Sequence, residues 1–350
     1  MSKDSNQYEL VIINNCPSFY KVNLYNEIAK KINIHVIFLG LSGEVVIYES
    51  YRNDIHFSYD ILYPDEYVEK RNKLLTFFKL YSILKKIQFY KIVYGGYAIP
   101  EFIMLCFLYP KSKNILQTES AKESLNAPRW KNILKEVILS RYQKAIVSGK
   151  IHKEVLQYLG FKGQIIISKG VGIIYKKNKQ TIQKSSGIFN YLYVGRLIEV
   201  KNIRFLVNVF NKLEKKLTIV GKGVLENELK ELSSDNITFL GFCDNKKLGE
   251  IYSKHQVFIL PSVSEPWGLV VEEALYNDCV LLLSQMVGSH TELLTQPETG
   301  CVFHPENEKS LMDAIHNIEQ NYQTYYKNVQ NFNISEKDVH QINSYLELVK

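Results

Sequence analysis

The sequence predicts an α/β protein made of two doubly wound parallel sheets, and three observations carry that prediction. Short aliphatic and β-branched runs, apolar on both faces, alternate with helical stretches, as in a parallel sheet covered on both sides. The alternation stops once, at the polar stretch 175–186 (YKKNKQTIQKSS), and then restarts. With 350 residues the chain is also longer than one compact core usually holds, so two domains are expected.

In the first half, residues 10–14 (LVIIN) read as a buried strand, 15–18 as a turn fixed by Pro17, and 21–31 as a helix. Strands follow at 34–39, 92–94, 114–117, 144–147 and 164–167, with helices between most of them. After the break come strand 191–194, helix 203–213, strand 216–220, helix 225–232, strand 237–240, helix 246–253, strand 257–260, helix 269–276 and a closing strand 280–284. The tail carries an amphipathic helix from Ser310 and a last helix near 338–349. The expected domains are 1–176, a linker at 177–187, 188–322, and a tail 323–350 that packs back on the first domain.

Composition narrows the class. A hydrophobic content of 46% with 23% charged residues is that of a folded globular protein. No signal-peptide core and no apolar run of spanning length is seen, and the five cysteines are scattered without metal-finger spacing. These features suit a cytoplasmic protein with reduced thiols. Charge is divided unevenly: residues 1–180 hold 27 Lys and Arg against 15 Asp and Glu, and residues 181–350 hold 16 against 21. The basic half should attract something anionic, whether a membrane surface, a phospholipid-linked acceptor or nucleic acid. No nucleic-acid-binding motif is present, so no nucleic-acid partner is expected. Residues 69–91 carry seven basic residues and one acid among aromatic side chains. They read either as an ordinary solvent-facing helix or as one lying on the inner face of a membrane, with Arg71, Lys79 and Lys86 near one face.

The chemistry concentrates between 193 and 273. Gly195-Arg196-Leu197 follows a strand, with Lys201 four residues on. A guanidinium fork and a mobile ammonium there suit a diphosphate, although a surface ion pair explains the motif equally well. Val220-Gly221-Lys222-Gly223 follows the next strand, and by itself is as readily a plain turn. It lacks the spacing of a dinucleotide site. The strongest segment is 260–275, LPSVSEPWGLVVEEAL, where a strand ends in a Ser/Pro loop and a helix starts near Trp267 or Gly268. The amides of Gly268, Leu269 and Val270 at that start suit a phosphate, and Trp267 beside them is a candidate donor contact. Glu273 suits the hydroxyl pair of a ribose, and Glu265 suits a donor sugar whose anomeric carbon gains positive charge. No Asp-x-Asp motif occurs, so no metal is expected.

Glu265 and Glu273, with seven residues between them, resemble the hallmark of the retaining nucleotide-sugar glycosyltransferases of GT-B fold, glycosyltransferase family 4. Their usual companions stand around the pair: the glycine motifs above, Phe239-Leu240-Gly241, Tyr252 before the 257–260 strand, and Val287-Gly288 with Glu292-Leu293. The resemblance implies two Rossmann-like domains facing across a cleft. The first would bind the acceptor, and the second a UDP- or GDP-sugar as substrate, with no further cofactor. It implies that Arg196 and Lys201 hold the diphosphate. Glu273 would hold the ribose, Glu265 with the helix amides the sugar and phosphates, and residues near Gly221 and after Gly241, with Phe242, the base. The implied reaction is sugar transfer with retention to a hydroxyl of a glycan; if residues 69–91 lie on a membrane, the expected acceptor is a lipid-linked glycan of surface polysaccharide assembly: O-antigen, capsule or exopolysaccharide.

Two departures stand in the first half. The glycine-rich first loop of many members is Asn14-Asn15-Cys16-Pro17, and the expected histidine after the fourth or fifth strand is missing from Leu116-Gln117-Thr118-Glu119-Ser120. Glu119 either replaces that histidine as a partner of sugar or acceptor, or simply starts a helix. A nucleotide-sugar-binding relative without catalysis is the alternative these departures leave open.

Overall fold

The computed structural model describes residues 7–41, 53–119, 129–176, 179 and 189–350. The chain divides into two compact units, Met1–Ile173 with Lys337–Lys350, and Ile174–Glu336. The expected linker at 177–187 lies outside the described residues except for Lys179, which pairs with Asp278 at 2.9 Å.

The first unit holds seven parallel strands: β1 (Gln7–Asn14), β2 (Ile34–Leu41), β3 (Ser58–Tyr67), β4 (Gln88–Tyr94), β5 (Asn114–Thr118), β6 (Lys144–Val147) and β7 (Gln164–Ile167), in the order β3-β2-β1-β4-β5-β6-β7. Helices α1 (Phe19–Ala29), α2 (Lys73–Lys86), α3 (Pro100–Leu108), α4 (Arg129–Leu139) and α5 (Lys150–Tyr158) connect them. Strand β3 is unforeseen. It is an edge strand carrying Pro64 and several exposed polar residues, so it lacks the apolar run that marks its neighbours. The two sheet faces have separate cores. Leu80, Phe102 and Leu139 bring α2, α3 and α4 onto one, while Leu24 of α1 and Tyr345 of the chain's last helix cover the other.

The second unit repeats the plan with β8 (Asn190–Val194), β9 (Lys216–Val220), β10 (Ile237–Gly241), β11 (Val257–Leu260), β12 (Val280–Ser284) and β13 (Gly300–Phe303), ordered β10-β9-β8-β11-β12-β13 and parallel throughout. Between them lie α6 (Ile203–Leu213), α7 (Glu226–Leu232), α8 (Asn245–Ser253) and α9 (Leu269–Tyr276). The sheet does not close at β12, because the short β13 pairs on its far side. Helix α10 (Glu308–Asn331) runs on past residue 322, with a break at Asn321 where φ is −111° and ψ 18°. The second unit therefore extends to Glu336, and most of α11 (Ile334–Leu346) belongs with the first unit.

Candidate functional site

In the second unit the predicted residues gather at the carboxyl ends of the strands, where parallel α/β sheets place ligands. Three loops are sewn together there by main-chain bonds. Gly195 N–H donates to Val220 O at 3.0 Å, Gly221 N–H to Gly241 O at 2.8 Å, and Leu197 N–H to Lys222 O at 2.9 Å. Gly221 is required by this closeness: its φ is +138°, and a Cβ would lie 1.8 Å from Gly195 O. The loop carrying Arg196 therefore lies directly against the one that follows β9. Tyr193 donates its hydroxyl to Arg196 O at 3.0 Å, steadying the loop from beneath. The Arg196 side chain is exposed and makes no salt bridge among the described residues.

Lys201 ends a 3-10 turn at Glu199–Lys201. Its ammonium donates to the Glu265 carboxylate, with only 15% and 12% of the two side chains exposed. The pairing is built by the main chain. Val263 N–H donates to Val200 O at 3.0 Å, tying the loop after β11 to the turn that bears Lys201. Glu265 N–H donates to Met286 O at 3.2 Å, and Gly288 N–H to Glu265 O at 2.8 Å, which fixes the other side of the same loop. Glu265 is thus a clamped loop residue and not the cap of α9. The N-cap is Gly268, left-handed at φ 84° and ψ 69°, without a side-chain capping bond. Helix α9 begins at Leu269. As its first residues, Leu269 and Val270 have no intrahelical acceptor for their N–H groups.

Glu273 lies one turn further in, and Tyr252 of α8 donates to its Oε2 at 3.1 Å. Burial pushes the Glu273 carboxyl up to about 7; the Tyr252 bond pulls it down, and neighbouring Glu272 pushes it up again. Glu272 itself is fully buried and accepts from the Trp267 indole at 2.8 Å. The Trp267 side chain therefore belongs to the interior beside α9. Phe242 is half exposed, together with Leu240 and the more exposed Val224, giving an apolar rim beyond the glycine loops.

Glu119 belongs to the first unit and follows β5 directly. There the Asn14 Oδ1 accepts from Asn15 N–H at 2.9 Å and Lys21 Nζ at 3.2 Å, while Asn14 Nδ2 donates to the Tyr25 hydroxyl at 2.8 Å. Burial opposes the charge on Lys21, but Tyr20 and Glu119 hold its pKa above the usual lysine range. The short first loop is thus filled by an asparagine network and a lysine. Sequence reasoning passed over Lys21 and the roles of Tyr193 and Tyr252. Tyr252 was named for its place before the 257–260 strand but not as the partner of Glu273; Lys21 carried no signal.

Two doubly wound parallel-sheet units define the GT-B class of fold. The protein of Anabaena crystallised with UDP and glucose superposes on 97% of the chain, covering 99% of its own, with a TM-score of 0.70 at 12% identity. Residues 175–333 match the model of the family Glycosyl transferases group 1. Among curated relatives, the N-acetylgalactosamine-N,N'-diacetylbacillosaminyl-diphospho-undecaprenol 4-alpha-N-acetylgalactosaminyltransferase of Campylobacter jejuni is 31% identical over 131 residues, 35% of either chain. The O-antigen chain mannosyltransferase of Salmonella typhimurium is 30% identical over 164 residues, 44% of this chain and 45% of its own. The chain thus spans less than half the length of these relatives.

Proposed function

We propose that the protein is a glycosyltransferase that takes a sugar from a UDP- or GDP-linked donor and passes it, with retention and without a metal, to a hydroxyl of a lipid-linked glycan in surface polysaccharide assembly. The observation that carries this reading is the clamped Lys201–Glu265 pair beside the open Arg196 and the start of α9. The leaving diphosphate would be held by Arg196, Lys201 and the Leu269 and Val270 amides, which oppose charge as it develops. Glu265 would face the sugar, its carboxylate favouring positive charge at the anomeric carbon. Glu273, backed by Tyr252, would take the ribose hydroxyls, and Phe242 the base. Glu119 is assigned to the sugar or acceptor. The C. jejuni and S. typhimurium relatives, by their names, act on an undecaprenyl-linked glycan and an O-antigen chain; these support the acceptor class.

The test is release of nucleoside diphosphate from a panel of UDP- and GDP-sugars, with and without undecaprenyl-diphosphate-linked acceptors. Turnover that survives Glu273→Ala unchanged would overturn the site. Tight binding of UDP or GDP with no turnover on any acceptor would favour a non-catalytic binding protein, the reading that the filled Asn14 loop and the missing histidine favour.

A further inference from the structure

We propose that the Lys201–Glu265 pair is a latch, opened by a donor that brings both a diphosphate and a sugar, and closed again when only the nucleoside diphosphate is left. This rests on the reading given above, in which Lys201 holds the diphosphate and Glu265 the sugar. In the structure each is taken up by the other: the ammonium donates to the carboxylate, and both side chains are mostly buried. The exchange is one of side chains, because the main chain around the pair is fixed. Lys201 N–H donates to Ile198 O at 3.0 Å and Asn202 N–H to Glu199 O at 2.9 Å, which closes the turn beneath the lysine. Asn202 Nδ2 donates to Pro305 O at 2.8 Å and pins that turn to the loop after β13. Glu265 is held on both sides by its main-chain bonds to Met286 and Gly288. The ammonium rides on a long flexible stem, so it is the member that moves.

Arg196 gives the exchange its direction. Burial raises the pKa of the Tyr193 hydroxyl, Glu265 raises it further and Arg196 lowers it, so the guanidinium and the carboxylate both act on this one buried group. A diphosphate drawn to the exposed Arg196 therefore arrives beside the pair, and it offers the Lys201 ammonium more negative charge than one carboxylate does. Once the ammonium leaves, Glu265 is a mostly buried carboxylate without its cation, which is unfavourable. Sugar hydroxyls donate to a carboxylate and offset that cost. A nucleoside diphosphate alone has no group to place there. A donor thus satisfies both ends of the opened latch and a spent donor only one, so Glu265 takes Lys201 back and weakens the hold on the leaving group.

The experiment is calorimetric titration of the full chain, native and as Lys201→Met, Glu265→Gln and the double variant, with UDP and with GDP, compared for whichever nucleotide the native protein binds more tightly. Glu265→Gln should tighten binding on the order of tenfold while Lys201 is present, because the ammonium no longer has to leave a carboxylate. In the Lys201→Met background the same change should gain distinctly less. Equal gains in the two backgrounds show that Glu265 only repels the phosphates, and no gain beside Lys201 shows that it merely aims the lysine. Either result overturns the latch and leaves the site standing, provided that Lys201→Met itself weakens binding. Unchanged binding in Lys201→Met, or a native protein that binds neither nucleotide, removes the reading of the site and the latch with it. Because the variants give up a buried pair, a crystal structure of the native chain with the same nucleotide is the second measurement. Lys201 Nζ should lie on a phosphate oxygen and off Glu265; an ammonium that bridges the two overturns the proposal.

Discussion

Lys201 and Glu265, sixty-four positions apart, form an ion pair between the loops that follow β8 and β11. The main-chain bond from Val263 to Val200 holds the two loops in place independently of the charges. Removing one member therefore leaves the other clamped and only slightly hydrated.

Lys201→Met and Glu265→Gln should each lower stability by about 2 kcal/mol, the scale of a charged hydrogen bond lost from a mostly buried site. The double variant should lose less than the sum. Urea midpoints of the four proteins test this. If the pair also serves transfer, each single variant should lose about a hundredfold in donor turnover.

If Glu273 takes the ribose hydroxyls as proposed, nucleotide binding should depend on pH. Its folded pKa, up to about 7, stands above the ordinary value of 4.5. A raised carboxyl contributes stability fully below 4.5, and that contribution is lost as pH rises through about 7. Ribose hydroxyls favour the ionised form, so UDP or GDP affinity should be level above pH 7 and fall about tenfold by pH 6. Calorimetric titrations at pH 8 and pH 6 should show that fall in the native protein. Glu273→Gln should bind more weakly and lose this part of the pH dependence.

Two glycines should respond in opposite directions to alanine. Gly221→Ala forces a Cβ within 1.8 Å of Gly195 O at φ +138°, and should cost about 3 kcal/mol or prevent folding of the second unit. Gly249 lies inside α8, where a Cβ would meet only Asn277 Oδ1 at 3.5 Å. Gly249→Ala should raise stability by about 0.5–1 kcal/mol. Thermal melts of the two variants decide the matter.

His35 should make the first unit acid-sensitive. Burial lowers its pKa, against the opposing pull of Asp60 at 3.0 Å. Its other ring nitrogen lies 2.9 Å from Ser58 Oγ, which is 3.0 Å from the Tyr8 hydroxyl. A depressed histidine contributes stability present above its ordinary 6.5 and lost as pH falls through the folded value. His35→Gln should therefore be clearly destabilising at pH 7 and less so at pH 5, as denaturant midpoints at the two pH values will show.

The sequence by itself determined the alternation of strands and helices and the residues that gather at the strand ends. A fully buried strand such as β11 is apolar along its whole length, and β12 is apolar up to its last residue, Ser284; the loops after the strands must carry the glycines, cations and carboxylates that a sheet cannot hold inside. Strand β3 escaped because an edge strand tolerates proline and charge, and β13 because it opens on Gly300, a poor strand former, and offers only three apolar residues before His304. Pairings between distant residues were decided only by the tertiary structure. Lys201 and Glu265 read separately as phosphate and sugar ligands but meet each other. Arg71 read as part of a basic helix face but neutralises the buried Glu101, and Trp267 read as a ligand contact but bonds Glu272. The physical reason is that local periodicity records which side of an element is buried, whereas the partner of a buried charge depends on loops brought together from far along the chain.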